Sequence, residues 1–387
     1  MKTGHKTKKR AMKKLLVIAI ALSLIAPLFV GCDRIININV PVTLKWRYKT
    51  DFYKYSSPAV VDDVIYVGSQ KDYIYAIDKE TGKLKWEYNK NRAGFSSPSV
   101  VDGIVYVFSR SNNYLYAIDA ASGKLKWHLN LNDIEGSCLS PTIVDGIVYF
   151  ASLGGVLYAV DADNGEQIWS FEIRHIRSYT LSIANDVVYI GIGGKINDEM
   201  YAIDAKSGEL KWRYKVESLI IMAPYVYNDV VYIGGYYVDT ENKYYFISAL
   251  DAKSGELIWQ YKAQFHPIGT FSAPAVVNGV VYAGCEDHYL YAIDSNSGDL
   301  KWRFETGGEI YFAPTVVDDV VYVGSWDHHL YAIDANSGEL MWKYWVRGRI
   351  ISSIIVVDDV IYFGTERVFF TKWFHRGPYL NALEIER

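Results

Sequence analysis

From Ser57 onward the chain repeats a single arrangement of apolar and polar positions. Its clearest copy, Ser57 to Tyr88, reads SPAVVDDVIYVGSQKDYIYAIDKETGKLKWEY. Short runs in which apolar and polar residues alternate (PAVV, VIYVGS, YIYAID, KLKWEY) are separated by acidic, Gly-containing or polar turn signals. Alternation with a period of two is the pattern of a half-buried strand, and runs this short do not make helices. Four such strands recur at a spacing of about 40 residues, which is the period of a propeller blade. The pattern therefore predicts an all-β chain of four-stranded antiparallel blades.

The third and fourth strands of each unit carry a fixed string: Ala, one residue, Asp, three residues, Gly, three residues, Trp. It runs from Ala76 through Asp78 and Gly82 to Trp86, and recurs ending at Trp127, Trp169, Trp212, Trp259, Trp302 and Trp342. The residue types have mechanical reasons. Asp accepts hydrogen bonds from turn backbone and Gly permits φ > 0 there. Trp offers ~200 Å² of flat apolar surface to fill the wedge between blades, and Ala leaves room for its ring. Near the C-terminus YLNALEIER places Ala382 and Glu384 in the Ala and Asp positions and stops before any Gly or Trp. The missing piece is LKWRYKT, Leu44 to Thr50, with Trp46 as the eighth docking Trp. The sequence thus predicts one eight-bladed propeller over 44–387, closed by the N-terminal strand completing the last blade; such closure replaces a loop contact with a ladder of backbone hydrogen bonds.

Ahead of the repeats, residues 1–31 carry Lys2, Lys6, Lys8, Lys9, Arg10, Lys13 and Lys14, no acid, and then an apolar run from Leu15 to Val30. That order is the shape of an export signal, and a run this short falls below the roughly 20 residues needed to span a bilayer. It ends in LFVGC, which resembles a lipobox, so Cys32 is the expected lipidation site and residues 32–43 a tether; Met12 opens a tighter version of the same signal. The competing reading is an uncleaved anchor. Removing seven of the 40 Lys and Arg against 44 Asp and Glu takes the formal charge from −4 to −11. Such a surface repels phosphate backbones, so nucleic acid is not an expected partner. Cys32, Cys138 and Cys285 are too few and too scattered for a disulfide framework or a spaced zinc site.

The Ala, Asp, Gly, Trp string is similar to the tryptophan-docking motif of the quinoprotein (PQQ) propeller superfamily, and the likeness covers residues 44–387. The resemblance implies the fold; it does not select a function, because the architecture serves quinone-dependent dehydrogenases and proteins that bind no quinone. In plan, with signal, lipidated Cys, short tether and one ring, the chain is similar to the outer-membrane assembly lipoproteins of the second group. For the dehydrogenases the resemblance implies a floor such as a vicinal Cys pair, a calcium site of Glu, Asn and Asp, and a catalytic Asp with Arg nearby. No adjacent cysteines occur, and most Asp belong to the docking string or to the VVDD and VVDG turns. The expected reading is a non-catalytic, monomeric, exported and membrane-tethered scaffold for proteins or extended peptides, without cofactor. Its alternatives are a dehydrogenase with PQQ and calcium, and a carbohydrate-binding or sensory surface module.

Two connections depart from the tight pattern: GGYYVDTENKYYF in blade 5 and RVFFTKWFHRGPY in blade 8. Tyr236, Tyr237, Trp373, Phe374 and Arg376 are residue types favoured at binding hot spots, and are expected to sit on loops as a partner surface or a local cap. Arg347 and Arg349, with Arg174 to Arg177 in RHIR, form a second candidate, a positive zone for an acidic ligand. His288 and His328, beside Asp287 and Asp327, occupy equivalent loops of adjacent blades; the choice lies between a bridging metal and ordinary turn residues, and the turn reading is preferred.

Overall fold

The computed structural model describes residues 41–386 except 51–55, 70–72, 91–93, 110–112, 132–139, 153, 174–180, 193–197, 217–218, 221–222, 239–242, 265–270, 367, 372–373 and 377. Cys32, Cys138, Arg174 to Arg177, Trp373, the leader and the tether as far as Val40 lie outside the described residues.

Blade 1 shows how the pattern folds. Ala59–Val61, Val64–Gly68, Tyr73–Asp78 and Leu84–Asn89 pair in sequence order as an antiparallel meander. The first hairpin of most blades is a two-residue turn in which both residues have positive φ, as in Asp102 (50°) with Gly103 (71°) and Asp318 (50°) with Asp319 (58°). Such turns match the right-handed twist of the flanking strands, and Asp, Asn and Gly tolerate the left-handed region best. Seven more blades follow the same plan, giving eight in all. The second and third strands are almost wholly buried and the inner and outer strands only partly, because the apolar faces of each blade pack against the blades on either side.

Closure uses the two ends of the described chain. Val42–Lys49 pairs antiparallel with Tyr379–Ile385, from Val42 opposite Ile385 to Lys49 opposite Tyr379, in the sheet whose other members are Val360–Thr365 and Ile355–Val357. The strand begins at Val42, two residues ahead of the expected Leu44. Its register slips between Leu44 and Trp46 opposite Ala382, the same bulge that blade 1 shows where Trp86 faces Ala76. An N-terminal strand that reproduces the bulge of every other outer strand is an outer strand in full. Across the closure Val360, Tyr362, Leu380 and Ala382 share a core with Ile65, Val67, Tyr75 and Ile77.

Seven of the eight indoles dock on a turn of the next blade. Trp46, Trp86, Trp127, Trp169, Trp212, Trp259 and Trp302 donate through Nε1 to the carbonyls of Lys79, Ala120, Ala162, Ala205, Ala252, Ser295 and Ala335, at 2.9–3.1 Å. The ring lies on the Gly of the same turn; a Cβ on Gly82, Gly123, Gly165, Gly208, Gly255, Gly298 or Gly338 would come within 2.6–2.9 Å of it. The Asp that opens each turn accepts at Oδ1 from the backbone N–H three residues on, 2.7–3.1 Å away in all seven copies. Gly is therefore required twice over, by its φ and by the ring above it.

Candidate functional site

A blade wound this way puts its second-to-third-strand loops and its outgoing connections on one face, and the hairpin turns on the other. The loop face is described most fully over blades 6–8. There a row of side chains from successive connections meets: Glu286 beyond Val280–Gly284, Glu309 and Tyr311 on the way to Thr315–Val317, Trp326 beyond Val320–Gly324, Arg349 before Ile355–Val357, and Glu366 beyond Val360–Thr365. Tyr311 packs on Trp326 with ring centroids 4.1 Å apart, and the Arg349 guanidinium stands 4.5 Å from the Trp326 ring centre. Arg349 Nε lies 3.4 Å from a Glu366 carboxylate oxygen. Backbone bonds lock the row: Trp326 N–H donates to the Glu309 carbonyl and Glu366 N–H to the Arg349 carbonyl, both at 3.0 Å. Burial pushes the Glu286 carboxyl up to about 7, the neighbouring Glu309 charge adds to this, and a hydrogen bond from Tyr311 opposes it. The site is an amphipathic ledge of two aromatics in tilted contact, with acids at both ends and a cation on the Trp326 ring.

The structure separates the two candidate arginines. Arg349 is engaged by Trp326 and Glu366, while Arg347 is exposed two residues earlier. Tyr236 and Tyr237 stand on a strand, not on a loop: Val230–Val238 pairs with Lys243–Asp251 along its whole length, Tyr236 opposite Tyr245 and Tyr237 opposite Tyr244. Tyr237 stacks on Tyr244 at 5.0 Å, and Tyr236 packs against the core between blades 5 and 6. Leu219–Ile220 adds a fifth strand beside them. The residues that looked like loop insertion lengthen the sheet because alternating Tyr suits a pleated surface. In blade 8 the insertion forms a small hairpin of Val368–Thr371 with Phe374–Arg376; the side chains of Phe374 and Arg376 lie outside the description.

His288 and His328 hold turn positions, with φ of 76° and 71°. Their carbonyls accept the N–H groups of Thr306 and Val346, each at 2.8 Å. Asp287 accepts from Tyr289 N–H at 3.0 Å and from the Tyr291 hydroxyl at 2.6 Å. Asp327 takes the His329 N–H at 3.0 Å, Gly307 N–H at 3.1 Å and the Tyr331 hydroxyl. Burial works against its charge, yet the hydrogen bonds from His329 and Tyr331 outweigh it and hold Asp327 at about 2. These groups tie the connections to the blades. Among the described residues no group of three or more His, Cys, Asp or Glu gathers closely enough to hold a metal ion. Cys285 is free and buried, and burial raises its thiol pKa. Among the described residues of this face, Asp287 and Asp327 are bonded to their own turns, and Arg349 is paired with Glu366.

Sequence reading overlooked the ledge and a second docking residue. The Tyr of each second strand (Tyr66, Tyr106, Tyr149, Tyr189, Tyr232, Tyr282, Tyr322, Tyr362) lies 5.8–6.0 Å from a docking Trp. Its recurrence in all eight VxYxG-like runs was a visible signal. The ledge had none, since it joins residues from connections of three blades.

The model of a family described as outer membrane protein assembly factor BamB matches residues 43–180, 153–308 and 247–371. Among curated proteins none matches the chain. Among solved structures, BamB from Moraxella catarrhalis is similar with a TM-score of 0.68 and 15% identity, over 89% of this chain and 99% of that one. The computationally designed Ika8 protein gives a TM-score of 0.71 at 14% identity, over 87% and 98%. Quinohemoprotein alcohol dehydrogenase from Comamonas testosteroni gives 0.70 at 15% identity, over 91% of this chain and 78% of that one. At such identities the structural likenesses speak for the fold alone, which an assembly factor, a designed protein and an alcohol dehydrogenase share. The family model matches the chain from residue 43 to residue 371, and on that extent the chain belongs to the family of the outer membrane protein assembly factor BamB.

Proposed function

We propose that the protein is a non-catalytic scaffold, exported and held at a membrane by a lipid on Cys32, that binds proteins or extended peptides during assembly of the cell envelope. The observation that supports this most directly is the match of the BamB family model from residue 43 to residue 371. The ledge agrees with it in chemistry: Tyr311 packed on Trp326, with Arg349 over the Trp326 ring, offers the residue types that anchor protein contacts. The outer strand of every blade is also a sheet edge with room for an extended guest, and Leu84, Leu125, Leu210, Leu257, Leu300 and Trp345 are exposed along those edges. Main-chain bonds at an edge supply affinity without chemistry.

Cross-linking in the native host followed by mass spectrometry is expected to recover envelope proteins, with cross-links at the loop face weakened by Trp326→Ala. The rival dehydrogenase reading is tested on the purified protein by titration with PQQ and Ca²⁺ and dye reduction with alcohols and sugars. Saturable binding with turnover would sink the scaffold reading.

A further inference from the structure

The eight outer strands share one plan, and the outer strand of blade 7, Leu340–Trp345, departs from it. Three residues beyond the docking Trp the other seven carry Lys, Asn or Glu, and blade 7 carries Trp345. One residue before the docking Trp five strands carry Lys and two carry Ile, while blade 7 has Met341. Only blade 7 is apolar at both places. Its outer strand comes last in its sheet, after Thr315–Val317, Val320–Gly324 and His329–Asp334, so one backbone edge faces outward. Met341 is 43% exposed, and Trp345, at 53%, is more exposed than any other large apolar side chain among the described residues. Lys343 is exposed between them, with Trp342 buried and Tyr344 half-buried behind, and Arg347 is exposed just past the strand end. The outward side therefore reads apolar, cation, apolar, cation. Lys343 Nζ stands 5.9 Å from the Tyr331 ring centre, and neither Lys343 nor Arg347 forms an ion pair with a described carboxylate. Unpaired edges are ordinarily protected by charge; here large apolar residues stand between the charges.

We propose that this edge receives an extended segment of a partner protein in which apolar and acidic residues alternate on one face. The inference rests on the scaffold reading and narrows it to one blade. A guest strand laid antiparallel along Leu340–Trp345 pairs with the outward N–H and C=O groups of the edge, which supplies affinity from main chain alone. Side chains on the shared face then stand roughly 4.5–5.5 Å from those opposite. Apolar guest residues facing Met341 and Trp345 take both out of water, and carboxylates facing Lys343 and Arg347 neutralise the two cations. Along the guest the order is acid, any residue, apolar, any residue, acid, any residue, apolar. Trp and Arg are the residue types that most often dominate such contacts, and Trp345 with Arg347 places one of each on this edge. A second copy of the chain fits less well: the antiparallel register that sets Met341 against Trp345 also sets Lys343 against Lys343, and like charges directly opposite are destabilising.

Fluorescence anisotropy with labelled peptides on the full chain tests it. The probe is Glu-Thr-Val-Thr-Glu-Thr-Val, and its control has Lys in place of both Glu. The acidic peptide is expected to bind at least about tenfold tighter than the control, since two facing charge pairs change sign between them. Met341→Lys with Trp345→Lys gives blade 7 the residues that blade 4 carries as Lys211 and Lys215. That variant should bind the acidic peptide at least about tenfold more weakly, while its thermal midpoint stays put because both side chains are exposed. Lys343→Glu with Arg347→Glu should reverse the preference in favour of the Lys peptide. Equal binding of the two peptides overturns the proposal, as does undiminished binding by the Lys variant or the lack of saturable binding up to about 1 mM. Self-association of the unaltered chain that the Lys substitutions abolish assigns the edge to a second copy and overturns it too. In the native host, equal cross-linking of envelope proteins by the unaltered chain and the Lys variant overturns the edge and leaves the scaffold reading standing.

Discussion

The junction between blades 4 and 5 and the junction between blades 7 and 8 start from the same residues and finish differently. In the first, Trp212 and Tyr189 both reach the carbonyl of Ala252, at 2.9 and 3.3 Å, and the indole lies on Gly255. In the second, Trp342 and Tyr322 are as well buried and as close to each other, but the receiving blade is made from two chain ends and has no Gly turn. The docking residues belong to one blade and their acceptor to the next. A repeat unit is therefore complete only in company, and the strength of each junction depends on the continuity of its neighbour. Repeat architectures share this property: stability resides in interfaces as much as in units. At the following junction, blade 8 to blade 1, the Gly turn returns and Trp46 docks on Lys79 and Gly82 in the usual way. Lys79, which stands where most blades have Ala, adds a bond from Nζ to Asp358 at 2.8 Å across the closure.

The largest way to break this comparison is to remove the closing strand. Deleting Val42–Lys49 bares the edge of Tyr379–Ile385 and takes Trp46 from blade 1. Loss of a blade strand and a docked Trp together rivals the total stability of a domain, about 5–15 kcal/mol, so the deleted chain should aggregate or melt tens of degrees lower in calorimetry. An unchanged melt would show that closure contributes nothing. Next in size is a matched pair: Trp212→Ala should cost about 3–5 kcal/mol in denaturant unfolding, and Trp342→Ala about 1 kcal/mol less, because only the former loses a docking hydrogen bond. Equal costs would remove the distinction between the junctions. A finer probe compares Tyr282→Phe, expected to lose about 1 kcal/mol with its bond to Ala335, with Tyr322→Phe, expected to be neutral. A loss at Tyr322 would reveal an acceptor at the hydroxyl.

The last prediction contrasts the two faces by pH. The turn carboxylates Asp78, Asp119, Asp204, Asp251, Asp294 and Asp334 are held below their ordinary range, chiefly by hydrogen bonds from the Thr, Ser or backbone groups of the turn. Their contribution is present above the unfolded pKa and is lost as pH falls through the folded values. Glu286 on the loop face runs the other way: with its pKa raised from 4.5 to about 7, its contribution is full below 4.5 and disappears as pH rises through 7. Glu286→Gln should therefore flatten the decline of the melting temperature between pH 4.5 and 7 without altering the acid limb below pH 4. A wild-type decline that persists in the variant would free Glu286 of that role.

Much of the ring could be read from the chain because its rules are local. Strand alternation, two-residue turns at Asp and Gly, and the spacing from Ala76 to Trp86 act within a few residues of each other, and the half motif at each end told where they would meet. The nature of the docking was less accessible: a Trp that fills a wedge and a Trp that lies on the Gly of the next blade and donates to its carbonyl give the same letters. Tyr236 and Tyr237 looked like loop residues because hairpin length is set by pairing with Tyr244 and Tyr245, which a single strand does not display.

By itself, the sequence determined the all-β class, the blade count and the way the circle is sewn shut, since each follows from periodicity and from a residue string repeated until it breaks. Only the tertiary structure decided which residues meet on the loop face and where docking fails. Glu286, Tyr311, Trp326 and Arg349 come together there because neighbouring blades bring their connections to the same edge, and Tyr322 faces a groove because its acceptor turn does not exist. Contacts between blades depend on the angle through which each sheet is turned against the next, a quantity carried by the packing of whole faces and by no single stretch of chain.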